Sequence, residues 1–210
     1  MIGGPEIGTS GYWDKIYSGV SNAEPGAPGF DRLTPVHEEI RRLEKIVPMD
    51  KVLDVGAGWG DFARQLQEGG YLVTALDFSM EAARRSRFKP YIVADAANTG
   101  LPAKSFDLIT CLQAVEYMLD MAAFFREAAR LARTLIFTVT HGEHETCSQL
   151  RIYTEESLVA WFAEEARDFD LPEVERIDIK RVGPMLMTTI HWRVFSVAST
   201  EHAKPSAERF

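Results

Sequence analysis

Apolar and polar positions alternate in blocks along the 210 residues. Near-continuous apolar runs at 51–55, 71–76, 91–94, 106–112 and 134–140 predict short strands covered on both faces. Helical spacing fills the gaps between them at 61–68, 79–87 and 121–132, and Gly69-Gly70 stops the first of these helices. An earlier helix opens at Thr34-Pro35, a hydroxyl cap followed by proline at the first helical position. It carries Ile40, Leu43 and Val47 on one face and closes at Pro48.

Beyond Arg151 the alternation changes. Thr154 caps a helix running to about Ala166, and two strand patterns follow at 174–182 and 189–198 with no helix between them. The expected fold is therefore α/β: seven strands, mostly parallel, helices on both faces, and an antiparallel pair at the C-terminal end. Gly, Pro, Ser and Asn crowd residues 18–29, so we divide the chain into an N-terminal lid or connection (1–30), one main domain (31–198) and a polar tail (199–210). Tyr12-Trp13-Asp14-Lys15-Ile16-Tyr17 is expected to form a helix, either folded over a site or simply packed on the core.

Composition narrows the function classes. Hydrophobic residues at 46% and charged residues at 26% suit a soluble globular chain. The longest uncharged stretch found, 182–192, is far short of the roughly 18 to 20 apolar residues that span a bilayer. The first six residues lack both the basic and the apolar region of a secretory signal, so a cytoplasmic protein is expected. A net charge of −8 disfavours nucleic acid. The basic run at 84–89 suits the C-terminal end of a helix. Two cysteines, Cys111 and Cys147, are too few for a disulfide scaffold and are expected to be free thiols.

The stretch 52–60, Val-Leu-Asp-Val-Gly-Ala-Gly-Trp-Gly, places glycines at alternate positions where a strand turns into a helix. Backbone there can approach a ligand closely. A dinucleotide fingerprint would need its third glycine at position 61, where this chain has Asp61, an acid that repels a pyrophosphate but not a sulfonium. Asp61 equally suits the first turn of a helix. Asp77 ends the second strand 21 residues after Gly56, at the spacing of a ribose-binding carboxylate. Asp95 ends the third strand at the same edge, where an adenine amine could meet it.

These residues, with Leu-Pro-Ala-Lys-Ser-Phe-Asp-Leu-Ile at 101–109, resemble class I S-adenosylmethionine-dependent methyltransferases of the small-molecule, type 11-like group, over about 52–140. The resemblance implies a Rossmann-like fold. It assigns the cofactor to Asp54, Gly56, Ala57, Gly58, Gly60, Asp77, Phe78, Asp95 and Ala96: the glycine turn to the methionine part, Asp77 to the ribose, Asp95 and Ala96 to the adenine. A small-molecule acceptor, methylated on oxygen or nitrogen, is expected to meet Tyr12, Trp13, Tyr17, Gln113, Glu116 and Tyr117. The chain departs from the family pattern at Leu131-Ala132-Arg133, where a Gly-Gly turn is frequent, and at 113–117, where a histidine is frequent. His141, directly after the fifth strand, is the candidate general base. His141-Gly142-Glu143-His144-Glu145 has metal-ligating residue types but reads as a solvated polar loop, since adjacent loop residues rarely converge on one ion. The rival functions are a nicotinamide-dependent oxidoreductase and a non-catalytic cofactor-binding protein.

Overall fold

The computed structural model describes residues 8–19, 34–141, 153–165 and 173–193. Seven strands form one sheet in the order β3-β2-β1-β4-β5-β7-β6. They are β1 Lys51–Val55, β2 Leu72–Asp77, β3 Tyr91–Val93, β4 Leu108–Leu112, β5 Thr134–Thr140, β6 Val174–Val182 and β7 Met185–Trp192. The first five run parallel, and β7 lies antiparallel to both β5 and β6. The mixed sheet expected from the sequence is the one formed.

Helices are α1 Ser10–Gly19, α2 Thr34–Glu44, α3 Asp61–Glu68, α4 Met80–Arg85, α5 Met121–Leu131 and α6 Glu155–Ala160, the last continued by a π-helical turn, Trp161–Glu165. Successive strand residues feed two separate cores, as a sheet covered on both faces requires. Val52 and Ile136 pack with Ile40, Phe62 and Leu66 of α2 and α3. Leu53, Leu135 and Phe137 pack on the other face with Phe124 and Phe125 of α5 and Phe162.

Several expected boundaries move, for local reasons. Helix α4 starts at Met80 because the Ser79 hydroxyl accepts the Ala82 amide as its cap, and it ends at Arg85 with Ser86 already extended. The basic run is partly neutralised in place: Arg84 and Arg85 both pair with Glu81, at 3.2 and 2.8 Å. Strand β4 begins at Leu108 rather than Phe106, since the Asp107 carboxylate instead accepts the Asp50 and Lys51 amides at the start of β1. The largest shift concerns the last strand, expected at 189–198. Gly183, at φ 58, and Pro184 make a two-residue turn that pairs Val182 directly with Met185, so β7 begins four residues earlier. Residues 194–198, the tail, Cys147 and most of the 18–29 connection lie outside the described residues; Cys111 is free and buried. No helix among the described residues is long and apolar enough to cross a membrane.

Candidate cofactor and acceptor site

Strand order reverses between β1 and β4, whose neighbours lie on opposite sides, and open α/β sheets bind ligands at that point. A cavity of about 330 Å³ opens there, within the range of small-molecule sites, roughly 300–1,000 Å³. Its wall includes Gly56, Asp77, Phe78, Asp95 and Ala96 from the expected cofactor set, and Trp13, Tyr17, Gln113 and Tyr117 from the expected acceptor set.

The glycine turn is built from both sides. The Gly58 amide donates to Asp77 Oδ2 at 2.9 Å, and the Gly58 carbonyl accepts the Tyr91 hydroxyl at 2.6 Å. Gly58 has φ 54, a left-handed conformation natural to glycine, and a Cβ there would stand 2.9 Å from the Tyr17 hydroxyl. A Cβ on Gly56 would stand 2.6 Å from the Ala114 Cβ. The missing side chains at Gly58 and Gly60 thus make room for protein neighbours, Tyr17 and Phe88, and neither glycine lines the cavity.

Asp77 is buried, and its other oxygen, Oδ1, accepts the Ser79 amide at 2.9 Å. Burial raises its pKa above the ordinary carboxylate value, against the pull of the backbone amides that favour the charged form. Asp54 lies behind the turn, off the cavity, and accepts the Thr110 hydroxyl at 2.8 Å. Burial pushes its pKa up to about 7, opposed by the Thr110 bond and helped by the negative charge of Asp77. Asp61 stays at the surface, paired with Arg64 at 3.1 Å, as a first-turn acid would.

The loop after β3 is tied down from α5. Glu127 Oε1 accepts the Thr99 amide at 3.0 Å and its hydroxyl at 2.5 Å, while Arg130 Nε binds Oε2 at 2.7 Å. The Arg130 hydrogen bond, outweighing burial, holds the Glu127 pKa down at about 2. No periodicity marks this tie, because it joins residues 28 apart. Asp120, also unforeseen, lines the cavity and caps α5 by accepting the Ala123 amide at 2.8 Å. An Asp directly before a helix is a readable cap, so that signal was present in the sequence.

On the acceptor side, Trp13 and Tyr117 meet edge to face at 4.9 Å. Gln113 adopts φ 54, uncommon for a residue with a side chain, and is fixed by its amide donating to the Thr138 carbonyl and hydroxyl at 3.0 and 3.1 Å. Three expected residues stand elsewhere. Tyr12 packs on Trp13 at 5.4 Å and does not line the cavity. Glu116 is buried under the short 3-10 turn Val115–Tyr117, bonded to Thr140, with its pKa pushed up to about 6 by burial. His141 continues β5 past the sheet edge. Its amide donates to the Pro184 carbonyl at 2.8 Å, it bridges Tyr153, and it is absent from the wall of the cavity. Residues 142–145 lie outside the described residues.

Residues 53–134 match the "Methyltransferase domain" family. Over 107 residues the chain is 35% identical to a demethylmenaquinone methyltransferase of Corynebacterium urealyticum, a match covering 50% of this chain and 46% of that protein. It is 30% identical over 135 residues to a 2-methyl-6-phytyl-1,4-hydroquinone methyltransferase of Synechocystis, covering 58% and 42%. The matches thus span less than half the length of these relatives. The fold is shared with the crystal structure of a SAM-dependent methyltransferase from Aquifex aeolicus, with a TM-score of 0.61, 18% identity, and 86% and 98% of the two chains covered. The family match, the relatives and the strand order agree: residues 53–134 match a methyltransferase domain, and the chain shares its fold with S-adenosylmethionine-dependent methyltransferases.

Proposed function

We propose that the protein transfers a methyl group from S-adenosylmethionine to an oxygen or nitrogen atom of a small acceptor bearing an apolar ring, and that residues 31–198 form the catalytic domain. The observation carrying this is one cavity, at the switch point, lined by Asp77 and Asp95 together with Trp13 and Tyr117. Its residues fit the cofactor. Each Asp77 oxygen spends one lone pair on a backbone amide, leaving acceptor capacity for ribose hydroxyls. Asp95 and Ala96 line the same cavity, which supports an adenine contact there. Carboxylates and aromatic rings on one wall suit a cationic ligand. When bound, the cofactor supplies an electrophilic methyl group on its sulfonium.

The protein's part is then to align and to dry the site. Gln113 and Tyr117, on the β4 side, orient the acceptor, and Trp13 and Tyr17 of α1 exclude water. Side chains of Met118 and Leu119 extend that wall with apolar surface. The names of the relatives, which include a quinone and a hydroquinone substrate, support a ring-bearing acceptor. Calorimetry with S-adenosylhomocysteine and NAD tests the cofactor: we expect binding of the first and none of the second at equal concentration. Screening phenols, hydroquinones and aromatic amines for release of S-adenosylhomocysteine tests the acceptor. Tight NAD binding, or cofactor binding with no turnover on any class, would overturn the proposal.

A further inference from the structure

Helix α1 covers the cavity yet has no buried residue, so burial in the core does not hold it there. Ten residues are also too few for a helix to persist alone in water, where roughly 12 to 15 are marginal. Besides the ring contacts of Trp13 with Tyr117 and Tyr17 with Trp59, its attachment is polar. Asp14 Oδ1 accepts the Ser79 hydroxyl at 2.5 Å and the Glu81 amide at 3.0 Å, both at the start of α4. Ser79 is fully buried, and its own amide donates to Asp77 Oδ1. At the far end of α1, Arg85 Nη2 reaches the Ser18 carbonyl at 3.1 Å. The residues flanking Asp14 are the ones that matter for the cavity. Trp13 lies beside it in sequence, and Tyr17 lies one turn on, with its hydroxyl over Gly58.

We infer that Asp14 is a positioning residue: its carboxylate pins α1 to Ser79 and Glu81, and thereby sets Trp13 and Tyr17 against the cavity that Asp77 lines. The chain Asp14–Ser79–Asp77 makes the covering helix and the ribose-side carboxylate parts of one hydrogen-bonded unit. The Glu81 amide and Ser79 hydroxyl favour the ionised carboxylate, holding the Asp14 pKa below its ordinary value. The inference rests on the cofactor assignment above only for the identity of the ligand. The attachment itself can be tested without any ligand.

Two variants separate the possibilities. Asp14→Ala removes both bonds, whereas Asp14→Asn keeps an oxygen able to accept the same two donors. Hydrogen exchange of the ligand-free protein should show α1 amides exchanging at least several-fold faster in Asp14→Ala, with the core strands unchanged and Asp14→Asn close to the parent. Calorimetry with S-adenosylhomocysteine should show about ten-fold weaker binding in Asp14→Ala and recovery of most of it in Asp14→Asn. Unchanged exchange in Asp14→Ala overturns the pinning role, whatever the affinity. Faster exchange with unchanged affinity overturns the positioning of the cavity wall. If the parent protein binds no S-adenosylhomocysteine while exchange still responds to Asp14→Ala, the cofactor assignment fails and the attachment stands.

Discussion

Asp77 Oδ2 accepts the Gly58 amide at 2.9 Å, across 19 residues of chain, so the carboxylate facing the cavity also fixes the glycine turn beside it. One side chain therefore holds the scaffold and presents a binding group. Burial raises its pKa, which means that ionising it in the folded protein is unfavourable. A buried acid with a raised pKa on the wall of a cavity is a candidate functional residue.

Asp77→Asn separates the two duties. With amides donating to both oxygens, an Asn must turn its NH₂ group toward one of them, losing an acceptor at a cost of about 1 to 3 kcal/mol. Removal of the buried charge offsets that cost. We expect the urea midpoint to change little and S-adenosylhomocysteine to bind at least ten-fold more weakly by calorimetry. A loss of stability with intact affinity would confine Asp77 to the turn.

Gly58→Ala should disturb the covering helix as well as the turn. The left-handed conformation costs a residue with a Cβ about 1 to 2 kcal/mol, and the new methyl group meets the Tyr17 hydroxyl at 2.9 Å. We expect lower melting temperature and weaker cofactor binding. Adding Tyr17→Phe removes the clashing oxygen, so the double variant should regain part of the affinity but not the strain. No regain would show that the contact with Tyr17 is unimportant.

Glu127 predicts an acid-sensitive loop. Its carboxyl is held at about 2, below the ordinary 4.5, so it stabilises the fold fully above about pH 4.5 and loses that contribution as pH falls toward 2. Glu127→Gln should flatten this part of the stability-versus-pH curve measured by urea unfolding. Because Glu127 also anchors Thr99, in the loop that follows Asp95 and Ala96, the variant should weaken cofactor binding at neutral pH. An unchanged acid limb would remove Glu127 from the ledger of acid stability.

Much of this arrangement was legible in the chain. Alternating apolar runs and caps gave the parallel sheet, and the acids ending β2 and β3 gave the wall of the cavity, because both signals are local. The turn at Gly183-Pro184 leaves little local mark because the run Met185-Leu186-Met187-Thr188-Thr189-Ile190 carries no two-residue alternation that shows where the strand starts. The ties Asp14–Ser79, Tyr91–Gly58 and Glu127–Thr99 join residues 28 to 65 apart, and nothing in local sequence announces them. Tyr12 and Tyr17 could not be told apart until the helical phase of α1 was known.

His141 closes the account of the acceptor chemistry. A histidine directly after β5 has the right position in sequence for a general base, but its amide is bound to Pro184 and it is absent from the cavity wall. A base must come within hydrogen-bond reach of the proton it removes, directly or through one water. With alignment as the main device, His141→Ala should leave cofactor affinity unchanged and the methyl-transfer rate within about three-fold of the parent. A general base would instead be worth roughly 10²- to 10⁴-fold. The rate of the variant, followed by S-adenosylhomocysteine release once an acceptor is in hand, therefore decides between the two; a hundred-fold fall would return His141 to the site.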